Sequence, residues 1–307
     1  MPKILYESHR ISPARRATID RVNTIVREYG AKGFSLTLRQ LYYQFVSRGW
    51  IENSKREYNR LGETVSIGRM VGLIDWSAIA DRLRELHQRS HWQHPRDIIR
   101  DASEAYHIDL WEDQPEYVEV WVEKDALSDV VRKACHEFDV PYLVCRGFNS
   151  QTALWEAGQR IAQRDDWGQH VTILHLGDHD PSGVDMTRDN RDRVSMFAQR
   201  PVEVERIALT MDQVDEYQPP PNPAKETDSR ARRYIEQYGP ESWELDALDP
   251  VTLTRIIQNH IRAHLDQEQF DAKVRERTEA RALLKRVADK WDTVATAVSK
   301  RGRKGKP

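Results

Sequence analysis

The sequence predicts an α/β protein built around a mostly parallel sheet. Between residues 118 and 209, short apolar runs rich in β-branched residues alternate with helical stretches. The predicted strands are 118–122, 141–145, 171–176 and 202–209, and the helices between them are 127–138, 152–163 and 182–199. Alternation of this kind is typical of parallel sheets with helices on both faces. Helical regions are expected before and after the sheet.

Length and composition bound the class of protein. A chain of 307 residues is long enough for two packed domains. It has no run of 18 apolar residues, and its first ten residues lack the apolar centre of a signal peptide, so we expect a cytoplasmic protein without a membrane partner. Cys135 and Cys145 are too few for a disulfide framework and are predicted to be buried thiols.

The N-terminal region reads as three helices. Ser12 followed by Pro13 is a helix start, a second helix precedes Gly49, and a third begins near Ser54. A short hairpin-like segment at 73–76 follows. Three helices and a wing predict a winged-helix domain over residues 1–90.

The third helix of a winged helix approaches the major groove of DNA. Here it carries cations that are predicted to contact phosphates or bases, namely Lys55, Arg56, Arg60 and Arg69. The overall charge of −2 gives no general affinity for nucleic acid, but the N-terminal third is the more basic part of the chain. Ordinary solvated helix charges are the alternative for each of these residues.

The second helix offers a nucleophile. Its apolar residues at helical spacing are Leu38, Leu41, Tyr42, Phe45 and Val46. Tyr43 lies off this stripe, so we expect an exposed hydroxyl, with Arg39 one turn earlier on the same face. A guanidinium can stabilise phenolate or the charge that builds on a phosphate. A partly buried structural tyrosine is the alternative.

Carboxylates follow two of the predicted strands. Glu123 ends the first strand, and Asp178 and Asp180 follow the third. Ligands of parallel sheets bind beyond the carboxyl ends of the strands, and like charges that converge there are costly without a cation. Three hard oxygen donors suit Mg²⁺. Helix caps and surface carboxylates are the alternative.

The remaining segments complete the predicted organisation. A Pro-rich stretch after residue 217 cannot be a helix or a central strand. The predicted parts are a connector at 91–116, the sheet domain at 117–217, a linker at 218–230, a helical region at 231–298 and a disordered basic tail at 299–307.

Three motifs in this order resemble one family. They are Arg-x-x-Tyr-Tyr at 39–43, Val-Glu-Lys-x-Ala at 122–126 and Asp-x-Asp-Pro-x-Gly at 178–183. The set is similar to the topoisomerase VI A subunit and the related meiotic double-strand-break protein, which are type IIB topoisomerase-like. The resemblance covers roughly residues 30–210 and implies a winged helix that carries the tyrosine and a Toprim domain that carries the metal.

The resemblance also implies a function. Tyr43 would be the nucleophile, Arg39 its helper, and Glu123, Asp178 and Asp180 the Mg²⁺ site of an enzyme that cuts and rejoins duplex DNA through 5′-phosphotyrosine links. Two subunits would cut both strands, with the tyrosine of one working at the metal site of the other, so a homodimer is expected at least on DNA.

Two features set this chain apart from that family. Its first predicted helix begins near residue 12, and no P-loop occurs in the sequence. We therefore expect a reduced, stand-alone relative of a bacterial, plasmid or phage kind. Whether it works with a separate ATPase subunit stays an open question at this point. A Toprim nuclease that uses water and keeps Tyr43 as a structural residue is the alternative, and an inactive DNA-binding accessory protein is the third.

Overall fold

The computed structural model describes residues 3–80, 91–224 and 228–303. It has the predicted α/β class and divides into two compact units. The first unit comprises Met1–Arg84 and Tyr117–His264, and the second comprises Glu85–Glu116 and Leu265–Pro307. The first unit therefore contains both the region predicted to carry the tyrosine and the sheet.

Three helices form the N-terminal part of the first unit. They are α1 (Pro13–Ala31), α2 (Leu38–Ser47) and α3 (Lys55–Met70). Each begins after a residue whose hydroxyl accepts a hydrogen bond from the backbone N–H three residues on, at 3.2 Å for Ser12, 3.2 Å for Thr37 and 3.4 Å for Ser54. The helices share one buried apolar core, which fixes the position of α2.

The segment at 73–76 does not form the predicted hairpin. A 3₁₀ turn at Trp76–Ala78 leads into β2 (Ile79–Ala80), which pairs in parallel with β1 (Leu36–Thr37). A parallel pair joins chain segments that are distant in sequence and cannot be the two arms of a tight hairpin. The winged-helix assignment stays a prediction, and residues 81–90 of that predicted domain lie outside the described residues.

The sheet follows α4 (Pro95–Ala105), a helix of the second unit. Its four parallel strands lie in the order β4–β3–β5–β6. They are β3 (Glu116–Val122), β4 (Tyr142–Val144), β5 (His170–Leu176) and β6 (Glu203–Ala208). All four lie within two residues of the predicted runs, because short, mainly apolar runs rich in β-branched residues are typical of strands in a covered sheet. The strands β3 and β5 are neighbours, so their carboxyl ends are adjacent.

Helices flank the sheet. They are α5 (Ser128–His136), α6 (Gln151–Asp166), α7 (Pro181–Ala198), α8 (Met211–Tyr217), α9 (Ala231–Tyr238) and α10 (Pro250–Ala263). Helix α6 packs against α7, and α5 packs against α10. Both free cysteines are buried in this unit, as predicted.

The Pro-rich stretch is neither helix nor central strand, as predicted. It contains β7 (Asn222–Pro223), which forms an antiparallel pair with β8 (Glu241–Ser242). The chain then returns to the sheet edge, where the backbones of Trp243 and His179 exchange hydrogen bonds of 2.8 and 2.9 Å. A 3₁₀ turn at Leu245–Ala247 follows. We call residues 243–248 the covering segment.

The second unit is helical. Helix α4 packs against α11 (Gln267–Asp289), which is followed by α12 (Trp291–Arg303). The Gln114 side chain makes two hydrogen bonds with the backbone of Asp266. Its Nε2 donates to the Asp266 carbonyl at 3.0 Å, and its Oε1 accepts the Asp266 N–H at 2.7 Å. Helix α12 continues into the tail predicted to be disordered, and residues 304–307 lie outside the described residues. Across the described ranges, none of the helices is long and apolar enough to cross a membrane.

Candidate active site

Three carboxylates predicted from the sequence lie at the same edge of the sheet. The Glu123 N–H donates to the Leu176 carbonyl at 2.9 Å, and the Asp178 N–H donates to Glu123 Oε2 at 2.9 Å. The ends of β3 and β5 are thus joined through backbone and side chain. Asp180 follows within the same turn, and its negative charge adds to the effect of burial, which raises the pKa of Glu123.

The turn between Asp178 and Gly183 explains the spacing of this motif. Asp180 caps α7, because its Oδ1 accepts the Gly183 N–H at 2.6 Å. A Cβ at position 183 would lie 2.3 Å from the Asp178 carbonyl oxygen, so only glycine fits. The chain can therefore fold back on itself at once and present both aspartates at the strand end.

The electrostatic environment of this edge is unfavourable to bare carboxylates. Burial raises the pKa of Asp178 to about 7, with Lys124 acting against this shift and Glu123 adding to it. Burial likewise raises the pKa of Glu123. Because the ionised forms of these carboxylates are costly to bury, a cation at this edge would stabilise them.

Arg206 holds the turn that carries the aspartates. This partly buried side chain donates to the carbonyls of Gly177 at 2.9 Å, Asp178 at 2.5 Å, Gly183 at 2.9 Å and Leu209 at 3.0 Å. The sequence interpretation did not include Arg206. Its position in β6, two residues after the buried Val204 on a stretch of strand where alternate residues share a face, was the available signal.

The covering segment brings two further carboxylates to the site. Lys124 Nζ lies 2.8 Å from Asp178 Oδ2, 2.5 Å from Glu244 Oε2 and 3.1 Å from Asp246 Oδ1. The Leu245 N–H donates to Asp178 Oδ1 at 2.8 Å. Lys124 thus pairs with these three acids, whereas Asp125, its neighbour in sequence, pairs with Arg146. Burial alone would lower the pKa of Lys124, but Asp246, Asp178 and Glu244 raise it above its usual value.

Arg39, on α2, connects the carboxylates of Glu244 and Asp246 to Tyr43. Its Nε lies 2.7 Å from Asp246 Oδ2, its Nη2 binds Glu244 Oε2, and Nη2 also donates to the Tyr43 hydroxyl at 3.4 Å. The guanidinium carbon lies 5.6 Å from the centre of the Tyr43 ring. The Arg39–Tyr43 pair predicted from the sequence therefore exists, and it joins the acidic edge within one chain.

The prediction that Tyr43 is exposed was wrong. Its side chain is only 3% exposed, because α2 is covered on two sides. The apolar core of the N-terminal helices lies on one side, and the covering segment packs against α2 on the other, with Ala247 touching that core. Burial, with Asp246 and Glu244, raises the pKa of Tyr43 well above its usual value, so the phenol is protonated in this arrangement.

A set of three acids here could bind a metal ion. Asp178, Glu244 and Asp246 each place an oxygen within 4.8 Å of the other two. The donors are hard oxygens of the kind that Mg²⁺ takes, so their chemistry fits such an ion. The Lys124 ammonium lies among these same oxygens, so a metal bound there would have to displace it.

Sequence reasoning found only one member of this set. Glu123 and Asp180 lie on the same sheet edge but outside the group of three. Glu244 and Asp246 fall within the helical region predicted at 231–298 and were not singled out there. Their spacing of two residues, which repeats that of Asp178 and Asp180, was the only signal available.

The cations predicted to bind DNA have different surroundings. Lys55, Arg56 and Arg60 are exposed on α3. Arg69 is not presented in this way: its Nη2 donates to the carbonyls of Trp76 at 3.0 Å and Ile79 at 2.6 Å. Arg69 thus secures the turn before β2, which is a structural role.

The chain was compared with protein-family models and with curated proteins. No protein-family model matches the chain. No curated protein matches it significantly.

Proposed function

We propose that this protein is a DNA-cleaving and rejoining transesterase of the topoisomerase VI A subunit kind. The observation that carries the proposal is the continuous network from the Tyr43 hydroxyl through Arg39 to Lys124 and Asp178. A phosphate held by the two cations would lie beside a hydroxyl nucleophile and an acidic sheet edge. The three sequence motifs that resemble that family all contribute to this network.

The chemistry is a phosphoryl transfer to the tyrosine. The Tyr43 oxygen attacks the phosphorus and gives up its proton, the bond from phosphorus to the 3′ oxygen breaks, and that oxygen takes up a proton. The 5′ phosphate stays on Tyr43, and reversal restores the strand without ATP. Arg39 and Lys124 stabilise the negative charge that builds on the phosphate.

The acids have two tasks in this proposal. Asp178 and Asp246 orient Lys124, and Asp246 also orients Arg39. Glu123, Asp178 and Asp180 are proposed to hold Mg²⁺, as the family resemblance implies, and the ion when bound would add charge stabilisation at the phosphate.

Duplex DNA is the proposed substrate, approached by the exposed cations of α3. Cutting both strands takes two copies of the chain. The family resemblance implies that each tyrosine serves the partner's metal site. Because Tyr43 here adjoins the acids of its own chain, we propose that each copy can also act on one strand by itself.

A metal-dependent nuclease that uses water is the second candidate, and one observation favours it. Tyr43 is buried and its pKa is raised, which suits a structural tyrosine better than a nucleophile in the arrangement seen here. Such an enzyme would leave no protein on its product.

The test compares Tyr43→Phe with Tyr42→Phe on supercoiled plasmid and Mg²⁺. Tyr42 is the matched control, since it is the adjacent buried tyrosine and its hydroxyl binds Asn53 at 2.9 Å instead of the site. Reactions are stopped with detergent and run with and without protease. We expect wild type and Tyr42→Phe to give DNA with protein on its 5′ ends, and Tyr43→Phe to give none.

Two outcomes would contradict the proposal. Free ends from all three proteins would identify the nuclease. DNA binding without any cleavage would identify an accessory protein.

A further inference from the structure

One carboxylate oxygen of the covering segment is held by two cations at once. Glu244 Oε2 accepts from Lys124 Nζ at 2.5 Å and from Arg39 Nη2. We propose that this position between Arg39 and Lys124 is a binding site for a DNA backbone phosphate, and that Glu244 is its removable occupant. The inference rests on the proposed function and names the point at which its substrate binds.

Charge balance supports an exchange of this kind. Two cations here face three carboxylates, those of Asp178, Glu244 and Asp246. A phosphodiester that entered beside Glu244 would add a further negative charge to this set. If it takes the place of Glu244, the local charge stays the same, because each carries one negative charge. Two convergent cationic donors are also a common means of phosphate recognition.

The two carboxylates of the covering segment differ in freedom. The Asp246 side chain is 0% exposed and the Glu244 side chain is 27% exposed. The backbone between them is held by the Leu245 N–H on Asp178 and by the pairing of Trp243 with His179. Glu244 can therefore rotate outward while Asp246 stays and keeps both cations in place.

The position also suits the reaction. Arg39 Nη2 contacts both Glu244 and the Tyr43 hydroxyl, so an anion in the place of Glu244 lies next to the nucleophile. The phosphate would take over the negative charge of Glu244 at this point, so Arg39 would keep an anionic partner beside the Tyr43 hydroxyl.

The experiment measures DNA binding without chemistry. Wild type, Glu244→Gln and Glu241→Gln are titrated against a short fluorescent duplex in EDTA over a series of NaCl concentrations. Glu241 is the matched control, because it lies exposed on the same stretch of chain and its change to Gln removes the same charge. Glu244→Ala is measured as a second variant in case Glu244→Gln folds poorly.

We expect Glu244→Gln to bind DNA about tenfold more tightly, with a salt dependence steeper by about one phosphate contact. Glu241→Gln should stay within about twofold of wild type, since a distant surface charge is screened. Equal affinities for wild type and Glu244→Gln, or equal gains in both variants, would overturn the inference.

The outcome is separable from the proposed function. A gain in binding by Glu244→Gln, together with free DNA ends in the cleavage test, would keep the phosphate site and refute the tyrosine chemistry. Protein-linked ends without a gain in binding would do the reverse.

Discussion

Two groups of charged residues in this protein are proposed to meet DNA, and they are built differently. On α3, the Arg56 side chain is 82% exposed, and its carboxylate neighbour Glu57 lies 3.5 Å away. At the sheet edge, the Lys124 side chain is 20% exposed and has three carboxylates within 3.1 Å. Exposed charges are screened by salt and replaceable, whereas buried ones depend on specific partners. The first group suits general attraction of a polyanion, and the second suits one fixed position.

The largest expected effect comes from breaking the buried group. Asp246→Asn removes one partner of both Arg39 and Lys124, and we expect the free energy of unfolding to fall by about 3 kcal/mol, because two partly buried cations lose a carboxylate that is itself fully buried. Urea unfolding measures it. The control is Glu236→Gln, which breaks an exposed pair with Arg232 on α9 and should cost at most about 0.5 kcal/mol. Equal losses in the two variants would remove the distinction between the groups.

Arg206→Lys tests a partly buried cation at the sheet edge without changing its charge. A lysine cannot donate to the carbonyls of Gly177, Asp178 and Gly183 with the fork of a guanidinium. We expect a loss of about 2 kcal/mol, since carbonyls are left without donors. Arg232→Lys on the surface is the control and should be neutral. If Arg206→Lys left the free energy of unfolding unchanged, the turn between Asp178 and Gly183 would be stable without the Arg206 hydrogen bonds.

Lowering the pH tests the ion pairs of Glu244 at the sheet edge. Although burial alone would raise the pKa of Glu244, Lys124 and Arg39 lower it from 4.5 to about 2. A lowered pKa means that the ionised group stabilises the fold above about pH 4.5 and that this contribution is lost as the pH falls through 2. The stability difference between wild type and Glu244→Gln should therefore shrink from pH 5 towards pH 2. A difference that is constant over this range would contradict the ion pairs.

The smallest effect is expected on α3. Arg56→Gln and Arg60→Gln should each change the free energy of unfolding by no more than about 0.5 kcal/mol, because both side chains are exposed. Each should lower the slope of log affinity against log salt by about 0.9 if it contacts a phosphate. An unchanged slope would assign them to the solvated surface.

The sequence predicted what local patterns determine. Strands such as 171–176 are mainly apolar runs between helices, and Asp178 and Asp180 follow one of them directly, so their place at the sheet edge could be expected. The parallel pairing of Leu36 with Ile79 could not, because pairing between distant segments leaves no local mark.

The burial of Tyr43 was missed for a related reason. Helical periodicity identifies the face that meets the nearest core, and Tyr43 is off that face. Besides the N-terminal core, part of its cover comes from the segment around Leu245, whose contact with α2 depends on the whole fold. Glu244 and Asp246 were overlooked as partners of Arg39 for the same reason.

The distance along the chain between Arg39 and Asp246, 207 residues, has a consequence for synthesis. A nascent chain emerges N-terminal end first, and its early helices can fold before the later ones exist. Until the ribosome has released the turn at Asp246, Arg39 lacks its carboxylate partners and is open to any polyanion near the ribosome. We expect ribosome-bound fragments that stop short of residue 243 to associate with nucleic acid more strongly than chains that extend past the covering segment.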